Sequence, residues 1–203
     1  MEDLLAARGS MIFLAANVVL SLFAFQNRDF LNWGILHTGA VFRGQEWHRV
    51  LTAGFLHADP MHLLFNMVTL FFFGPTVEGI IGSQNFFIVY LAALLGGNLF
   101  ALFRHRNDIN YSALGASGAI SGILFSFCLF TPFSMIIVFV VPVPAILYAI
   151  LFILYSIYGM GANNDNIGHD AHLSGAIIGV LTTILLVPAS LQYFLSQISR
   201  FLG

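Results

Sequence analysis

Long apolar stretches alternate with short polar segments along this chain. Charged residues are missing from five runs: 9–27, 60–77, 79–103, 109–164 and 171–199. A helix needs about 20 mostly apolar residues to cross the roughly 30 Å hydrocarbon core of a bilayer. The run 109–164 has room for two crossings and each other run for one, so the pattern predicts six membrane-spanning helices.

Turn-forming residues and charges set the bounds of these helices. We place them at residues 11–25, 62–81, 85–103, 114–130, 142–158 and 170–187. The fifth begins at Pro142 or Pro144, because proline is tolerated best in the first turn of a helix. The apolar stretch before it is then an extended or interfacial connector, and one longer helix kinked at the prolines is the alternative.

The connection between the first two helices, residues 26–61, is unlike a polar linker. It carries Trp33 and Trp47 among arginines and several apolar residues. This composition predicts a structured loop at the membrane interface, with tryptophan at headgroup level. Together with the absence of an internal repeat, the pattern predicts an all-α polytopic membrane protein with one domain over residues 1–203.

Composition narrows the function. Charged residues make up 8% of the chain, hydrophobic residues make up 59%, and the mean hydropathy is +0.90. So few charges exclude a disordered chain and a soluble domain. Seven basic residues against nine acids exclude a nucleic-acid-binding surface.

Cys128 stands alone, which excludes an intramolecular disulfide. Glu2 and Asp3 stand where a signal peptide carries positive charge, so the first apolar run is predicted to be retained.

Two polar groups interrupt the predicted helices, where such residues are costly and mark function by default. His62 and Asn66 share one helix face and can donate hydrogen bonds toward one point; the alternative is that they join helices together. The stretch 115–119, GASGA, begins the fourth helix. Ser117 there lies among free N–H groups at the positive end of a helix, which are features of an oxyanion hole. The alternative is a small-residue packing motif.

A third group begins the sixth helix. Ala171, Gly175 and Gly179 repeat every four residues and form a flat stripe for close packing. His172 lies beside that stripe, and a histidine held against another helix can act as general base to a serine. The alternatives are a structural histidine or a metal ligand together with His169. We predict no metal site, because the HExxH pattern and a cysteine cluster are both absent.

The number of helices relates these three groups. With six spans, helices two, four and six all begin at the membrane face opposite to the termini. His62, Ser117 and His172 each lie within about one turn of such a start, some ~5–10 Å below the interface at 1.5 Å rise per residue. Three unrelated structural residues are not expected to converge in depth. The convergence favours a serine–histidine hydrolytic site.

At this point the sequence resembles the rhomboid intramembrane serine proteases, in their minimal six-span prokaryotic form. The stretches that carry the resemblance are EWHRVLTAGFLH (46–57), HLLFNM (62–67), GPTVEGIIG (74–82), GASGAISG (115–122), VPVPA (141–145) and IGHDAHLSGAIIG (167–179). GASG followed downstream by AHxxGxxxG in a six-span chain is a specific combination, although each motif alone is weak. The resemblance implies a six-helix rhomboid-like bundle that cleaves membrane proteins without a cofactor.

The resemblance implies a role for each matched residue. Ser117 is the nucleophile and His172 is the general base. Asp170, two residues from His172 on the helix, cannot easily face the same imidazole. The oxyanion site comprises the Ser117 backbone N–H with His62, Asn66, Gly115 and Gly118. The structural residues are Trp47, Arg49, Glu78, Gly175 and Gly179.

Two positions depart from the family pattern. His48 interrupts the Trp-Arg pair of the first loop, and Ser121 stands where many members carry an aromatic that stacks on the catalytic histidine. The implied substrates are membrane proteins, typically with a single span, that enter sideways from the lipid near the fifth helix.

Two other functions stay open. A transporter or channel would use the buried histidines as a proton relay and would need acids inside the spans. Only Glu78 and Asp170 come close, and both lie near helix ends. An inactive rhomboid-like protein that binds membrane clients would fit a missing serine or histidine, and both are present.

The family orientation implies an inner or plasma membrane location, with the site open to the extracytoplasmic face. The positive-inside rule prefers the reverse. In the family orientation Arg8 and Arg200 are cytoplasmic, and the outer segments hold Arg28, Arg43, Arg49, Arg104 and Arg106. We keep the family orientation, because a first loop folded into the interface does not present its arginines as free loop charges.

Overall fold

The computed structural model describes residues 8–138, 140–162 and 168–203, the side chains of residues 161 and 162 excepted. In chain order the elements are α1 (Arg8–Gln26), α2 (Arg28–Gly34), β1 (Leu36–His37), α3 (Thr38–Gly44), α4 (Arg49–Thr52), a 3₁₀ turn (Ala53–Phe55), α5 (Pro60–Ile81), α6 (Ser83–Arg104), β2 (Ser112–Ala113), α7 (Ser117–Phe130), β3 (Met135–Val138), β4 (Val141–Pro144), α8 (Ala145–Ala162), α9 (His169–Leu186) and α10 (Ala189–Leu202).

Six of these helices correspond to the predicted crossings. By length and composition, α1, α5, α6 and α9 can each span a bilayer, and α7 and α8 are shorter apolar helices. Strands are confined, within the described ranges, to two antiparallel pairs, β1 with β2 and β3 with β4. The chain is therefore a multi-pass helical membrane protein, and the predicted fold class is confirmed.

Helix α7 lies at the centre of the bundle. It packs against α5, α6 and α9, and nearly all of its residues are buried. Its 14 residues rise only ~21 Å, which is shorter than the roughly 30 Å of a hydrocarbon core. When its last residue lies at one membrane boundary, its first residue therefore lies well below the other.

Helices α7 and α9 are in backbone contact. A Cβ atom added at Gly175 would overlap the carbonyl group of Gly118, and one added at Gly179 would overlap the Cα atom of Gly122. Such close approach is possible only where both helices carry small residues. The contact fixes the starts of α7 and α9 relative to each other.

Helix α1 contacts α5 and α6 both in the middle of the bundle and at its own N-terminal end. In the apolar core, the ring of Phe13 stacks on that of Tyr90 with a centroid distance of 3.8 Å. At the helix start, the buried carboxylate of Glu78 accepts hydrogen bonds of 2.8 Å from the backbone N–H groups of Gly9 and Ser10. These N–H groups have no acceptor inside their own helix. The Ser83 hydroxyl donates to Glu78 at 2.6 Å.

Two helices begin later than predicted, and the other four begin one to three residues earlier. The fourth helix begins at Ser117 rather than 114, because Gly115 adopts φ +128°, which is incompatible with a helix. The fifth begins at Ala145, because Pro142 and Pro144 lie in β4, paired with Ile137 and Met135. Proline is tolerated at alternate positions of such a short edge strand, where its missing N–H faces away from the partner. The connector predicted as extended is thus one strand of a hairpin.

The first loop is structured, as predicted. The guanidinium of Arg49, which is buried, donates hydrogen bonds to the carbonyl groups of Asn32 at 2.6 Å and Ile35 at 2.8 Å. It also pairs with Glu46, the Nε to Oε2 distance being 2.7 Å. Trp47 lies outside this network, with 48% of its surface exposed. Arg49 therefore holds the loop together from within.

Helix α10 was not predicted. It follows a break at Val187 and Pro188. The Gln197 amide donates to the carbonyl of Phe130 at 2.9 Å, and Phe201 stacks on Phe133 with a centroid distance of 4.4 Å. α10 therefore crosses the end of α7 that is remote from Ser117.

Candidate active site

Ser117 and His172 are in direct contact. The distance between Ser117 Oγ and His172 Nε2 is 2.6 Å, although 55 positions separate them in the sequence. Ser117 is the first residue of α7, and His172 lies in the first turn of α9. Both side chains are half-buried. The structure therefore unites a hydroxyl and an imidazole at the point where two packed helices begin.

The segment before α7 shapes the space beside the serine hydroxyl. The Gly115 N–H donates to the carbonyl of Ala53 at 2.9 Å, which ties this segment to the first loop. A Cβ atom at Gly115 would lie 2.8 Å from His62 Cε1 and 3.6 Å from Ser117 Oγ. The positive φ of Gly115 disfavours any other residue for a second reason. The imidazole of His62 thus lies against the backbone next to Ser117.

Two predicted oxyanion residues lie on the same stretch of α5. Asn66 is buried, and its Nδ2 has no hydrogen-bond acceptor among the described residues. A buried donor without an acceptor is costly. His62 lies one turn before Asn66 on the same face. Gly118, the fourth predicted member, instead contacts α9: a Cβ atom there would lie 3.1 Å from the Ala171 carbonyl oxygen.

Comparison with known proteins decides the family. The sequence profile of the Rhomboid domain matches residues 44–189, which is well over half of the chain. The chain belongs to the rhomboid family. The matched range includes the Ser117–His172 contact, His62 and Asn66.

Relatives of this rhomboid occur in plants and bacteria. RHOMBOID-like protein 12, mitochondrial, of Arabidopsis thaliana is 33% identical over 156 residues, which are 69% of this chain and 46% of that protein. The putative rhomboid protease YdcA of Bacillus subtilis is 32% identical over 142 residues, 70% of this chain and 68% of that protein. Rhomboid protease AarA of Providencia stuartii is 31% identical over 167 residues, 72% of this chain and 59% of that protein. The chain spans less than half the length of the Arabidopsis relative.

Sequence reasoning did not single out His57, which packs against the predicted site residue His62. His57 is fully buried, its Nδ1 lies 2.9 Å from Ser21 Oγ, and its ring centroid lies 5.0 Å from that of His62. Burial, followed by the charge on His62, lowers the pKa of His57 to about 3, although Asp59 acts in the opposite direction. His57 is therefore neutral at pH 7 and supports His62 by edge-to-face packing. The only signal was its position at the end of the motif 46–57.

An aromatic residue does lie near His172, but on a different helix. The ring of Phe152, on α8, has its centroid 6.3 Å from that of His172. Ser121, the position where family members often carry an aromatic, is buried inside α7. Reasoning along one helix could not find Phe152, because its proximity depends on how α8 packs against α9.

Glu78 and Asp170, the acids that a transporter or channel would need, lie away from the Ser117–His172 contact. Glu78 binds the start of α1, and Asp170 pairs with Arg104 and His105 instead of the imidazole of His172. Within the described ranges, histidine, cysteine and acidic side chains do not gather in groups of three or more that could hold a metal ion. The carboxylates of Glu78 and Asp170 are thus both engaged by other groups, which disfavours a proton relay that uses them.

Proposed function

We propose that this rhomboid is an intramembrane serine endopeptidase that cleaves membrane-protein segments with Ser117 and His172. The observation that carries the proposal is the 2.6 Å contact between Ser117 Oγ and His172 Nε2. The family supports it, since its members include proteins named rhomboid proteases in Bacillus subtilis and Providencia stuartii. The inactive client-binding alternative is less well supported, because nucleophile and base are both in place.

The chemistry follows from the contact. His172 Nε2 accepts the Ser117 hydroxyl proton while Oγ bonds to the carbonyl carbon of the scissile peptide. The carbonyl oxygen becomes an oxyanion, and the proposed donors that stabilise it are the Ser117 N–H, the His62 imidazole and the Asn66 amide. His172 then gives the proton to the leaving amine, and an acyl-enzyme remains. Water, deprotonated by His172, hydrolyses that ester and restores the serine.

The depth of the site constrains the substrate. In the proposed placement Ser117 lies below the membrane boundary, at the start of a short helix, and a substrate helix hides its peptide bonds in its own hydrogen bonds. The substrate must therefore unwind locally before Oγ can reach a carbonyl. We propose membrane-protein substrates, typically with a single span, that enter from the lipid and carry helix-weakening residues near the cut. The reaction needs no cofactor, since nucleophile and base are side chains.

The proposed placement in the cell follows the family orientation. Residues 1–203 form one membrane domain in the inner or plasma membrane of a prokaryote, with both termini cytoplasmic and the dyad open to the extracytoplasmic face. Mitochondrial relatives show that the family also occupies organelles.

A covalent probe tests the proposal directly. Purified protein in proteoliposomes is expected to react once with an alkyl fluorophosphonate, because His172 makes the Ser117 hydroxyl nucleophilic. Peptide mass spectrometry should place the adduct on Ser117. Complete labelling should stop the cleavage of a single-span reporter.

The buried hydroxyl of Ser121, one turn along α7, provides the control. Ser121→Ala should label and cleave like the wild type. An adduct elsewhere, or cleavage that survives complete labelling of Ser117, would refute the proposed dyad.

A further inference from the structure

Asp170 forms a charged contact on the side of α9 away from the dyad. Its Oδ2 lies 2.6 Å from Nε2 of His105, and its Oδ1 lies 3.0 Å from Nε of Arg104. Only 9% of the Asp170 side chain is exposed. Arg104 ends α6 and Asp170 lies in the first turn of α9, so the contact joins the end of one helix to the beginning of another.

The basic partners of Asp170 are themselves anchored. Arg104 Nη2 donates to the Met160 carbonyl near the end of α8 at 3.2 Å. The His105 ring is stacked on Tyr111 at 3.9 Å and 3°. The Tyr111 carbonyl accepts from the Thr38 N–H of the first loop at 3.0 Å. The contact therefore connects the first turn of α9 to α6, α8 and the first loop.

The position of Asp170 on α9 relates this contact to His172. Residues two positions apart on a helix differ by ~200° around its axis, so Asp170 and His172 point to opposite sides of the same turn. Gly168 at the N-cap of α9 makes no side-chain cap hydrogen bond. A carboxylate near a helix N-terminus is favoured by the helix dipole. The contact thus secures a turn that lacks a cap of its own.

We propose that Asp170, held by Arg104 and His105, is a positioning residue that keeps His172 within hydrogen-bond distance of Ser117. The proposal rests on the proposed function of the dyad. It assigns a role to Asp170, whose carboxylate pairs with Arg104 and His105 and not with the imidazole of His172.

Asp170→Asn tests this positioning role. The second-order rate of fluorophosphonate labelling at Ser117, measured per folded protein, is expected to fall about ten- to a hundredfold, because sub-ångström shifts of a base are costly. The kcat for reporter cleavage should fall in parallel, with KM nearly unchanged. Asp170→Glu, which keeps the charge, should restore most of the rate. His105→Ala, which removes one partner of Asp170 without changing α9, should also lower the labelling rate.

Asp108→Asn is the matched control, because Asp108 is an exposed acid in the loop that carries His105. It should leave both rates unchanged. If Asp170→Asn lowers only the unfolding temperature and leaves the labelling rate of folded protein intact, the contact is merely structural and the proposal is wrong. Wild-type protein that neither labels nor cleaves would instead overturn the proposed function, so the two failures are distinguishable.

A separate observation concerns the outer surface of α10. Leu191, Leu195 and Leu202 lie on one face of this helix and are 40%, 56% and 77% exposed. The adjoining face is polar and carries one charge, with residues Gln192, Ser196, Ser199 and Arg200. Apolar residues on one side and polar residues on the other are the pattern of a helix that lies in a membrane interface.

The contacts of α10 place it at that interface. Gln197 and Phe201 hold it against Phe130 and Phe133, at the end of α7 where the bundle leaves the membrane. The neighbouring β3–β4 hairpin exposes further apolar residues there, including Ile137 at 76%. The exposed leucines therefore continue the lipid-facing surface of the bundle.

We infer that α10 lies in the headgroup region of the leaflet opposite to the dyad and inserts its leucines among the acyl chains. The partner is the lipid leaflet itself. Apolar insertion supplies the binding, because a face of serine and glutamine offers little attraction to anionic headgroups.

Depth-dependent quenching tests this inference in the full chain. Leu195→Cys and the adjacent Ser196→Cys, each in a Cys128→Ala background, carry a fluorophore in proteoliposomes. The label at 195 should be quenched by nitroxides on the lipid acyl chains, and the label at 196 by aqueous iodide. The result should be the same in phosphatidylcholine vesicles with and without phosphatidylglycerol. Equal iodide quenching at both positions, or quenching at 195 that grows with protein density because a second copy covers it, would overturn the inference.

Discussion

Replacing Ser117 by alanine is expected to reduce reporter turnover by about 10⁴- to 10⁶-fold, which is the loss seen when a serine hydrolase loses its nucleophile. The reason is that Ser117 Oγ lies 2.6 Å from His172 Nε2, so the variant removes the hydroxyl that the imidazole is proposed to deprotonate. Initial rates of cleavage of a single-span reporter in proteoliposomes measure the effect. KM should change little, because the alanine variant keeps the oxyanion donors and the substrate path.

Non-additivity gives this prediction a second check. His172→Ala should lower the rate about as far as Ser117→Ala, and the double variant should be no slower than either, since the two residues act as one unit. Ser121→Ala should cleave at the wild-type rate. Turnover within tenfold of wild type in Ser117→Ala would show that another nucleophile performs the reaction.

Gly175→Ala is expected to destabilise the bundle by about 1–3 kcal/mol and to abolish most activity, because it overpacks the contact between α7 and α9. The added Cβ would overlap the carbonyl of Gly118. Relief requires the two helices to separate, and that separation also moves Ser117 away from His172. Thermal unfolding followed by tryptophan fluorescence, together with fluorophosphonate labelling, measures both consequences.

Gly79→Ala is the matched control, because a Cβ atom at Gly79 would meet nothing within 4 Å. It replaces a glycine within a membrane helix where space is free. Its unfolding temperature should equal or exceed that of the wild type, since alanine is the better helix former. Equal stability of the two variants would contradict the backbone contact between α7 and α9.

The sequence predicted the crossings well because membrane helices must exclude charge over their whole length. The gaps between charged residues located six helices, and their parity brought His62, Ser117 and His172 to one depth. Parity and depth are properties of chain order alone, so no knowledge of packing was needed. The structure adds the contact distance between Ser117 and His172.

Features that depend on backbone conformation or on packing between helices escaped prediction. Phe152 approaches His172 through a contact between two helices that no local spacing encodes, whereas His57 lies only five residues before His62. The start of α7 depends on the backbone conformation of Gly115. The hairpin depends on pairing between β3 and β4, which competes with the helical preference for proline in a first turn. The leucines of α10 did carry a readable period, so that helix could have been found.

The shortness of α7 also has an electrical consequence. The proposed hydrolysis requires water at Ser117, and α7 rises only ~21 Å of the roughly 30 Å insulating core. A recess filled with electrolyte above Ser117 would sustain no voltage gradient. The membrane voltage would then fall across the remaining protein, and the electric field below Ser117 would be about 1.4 times that in the neighbouring bilayer.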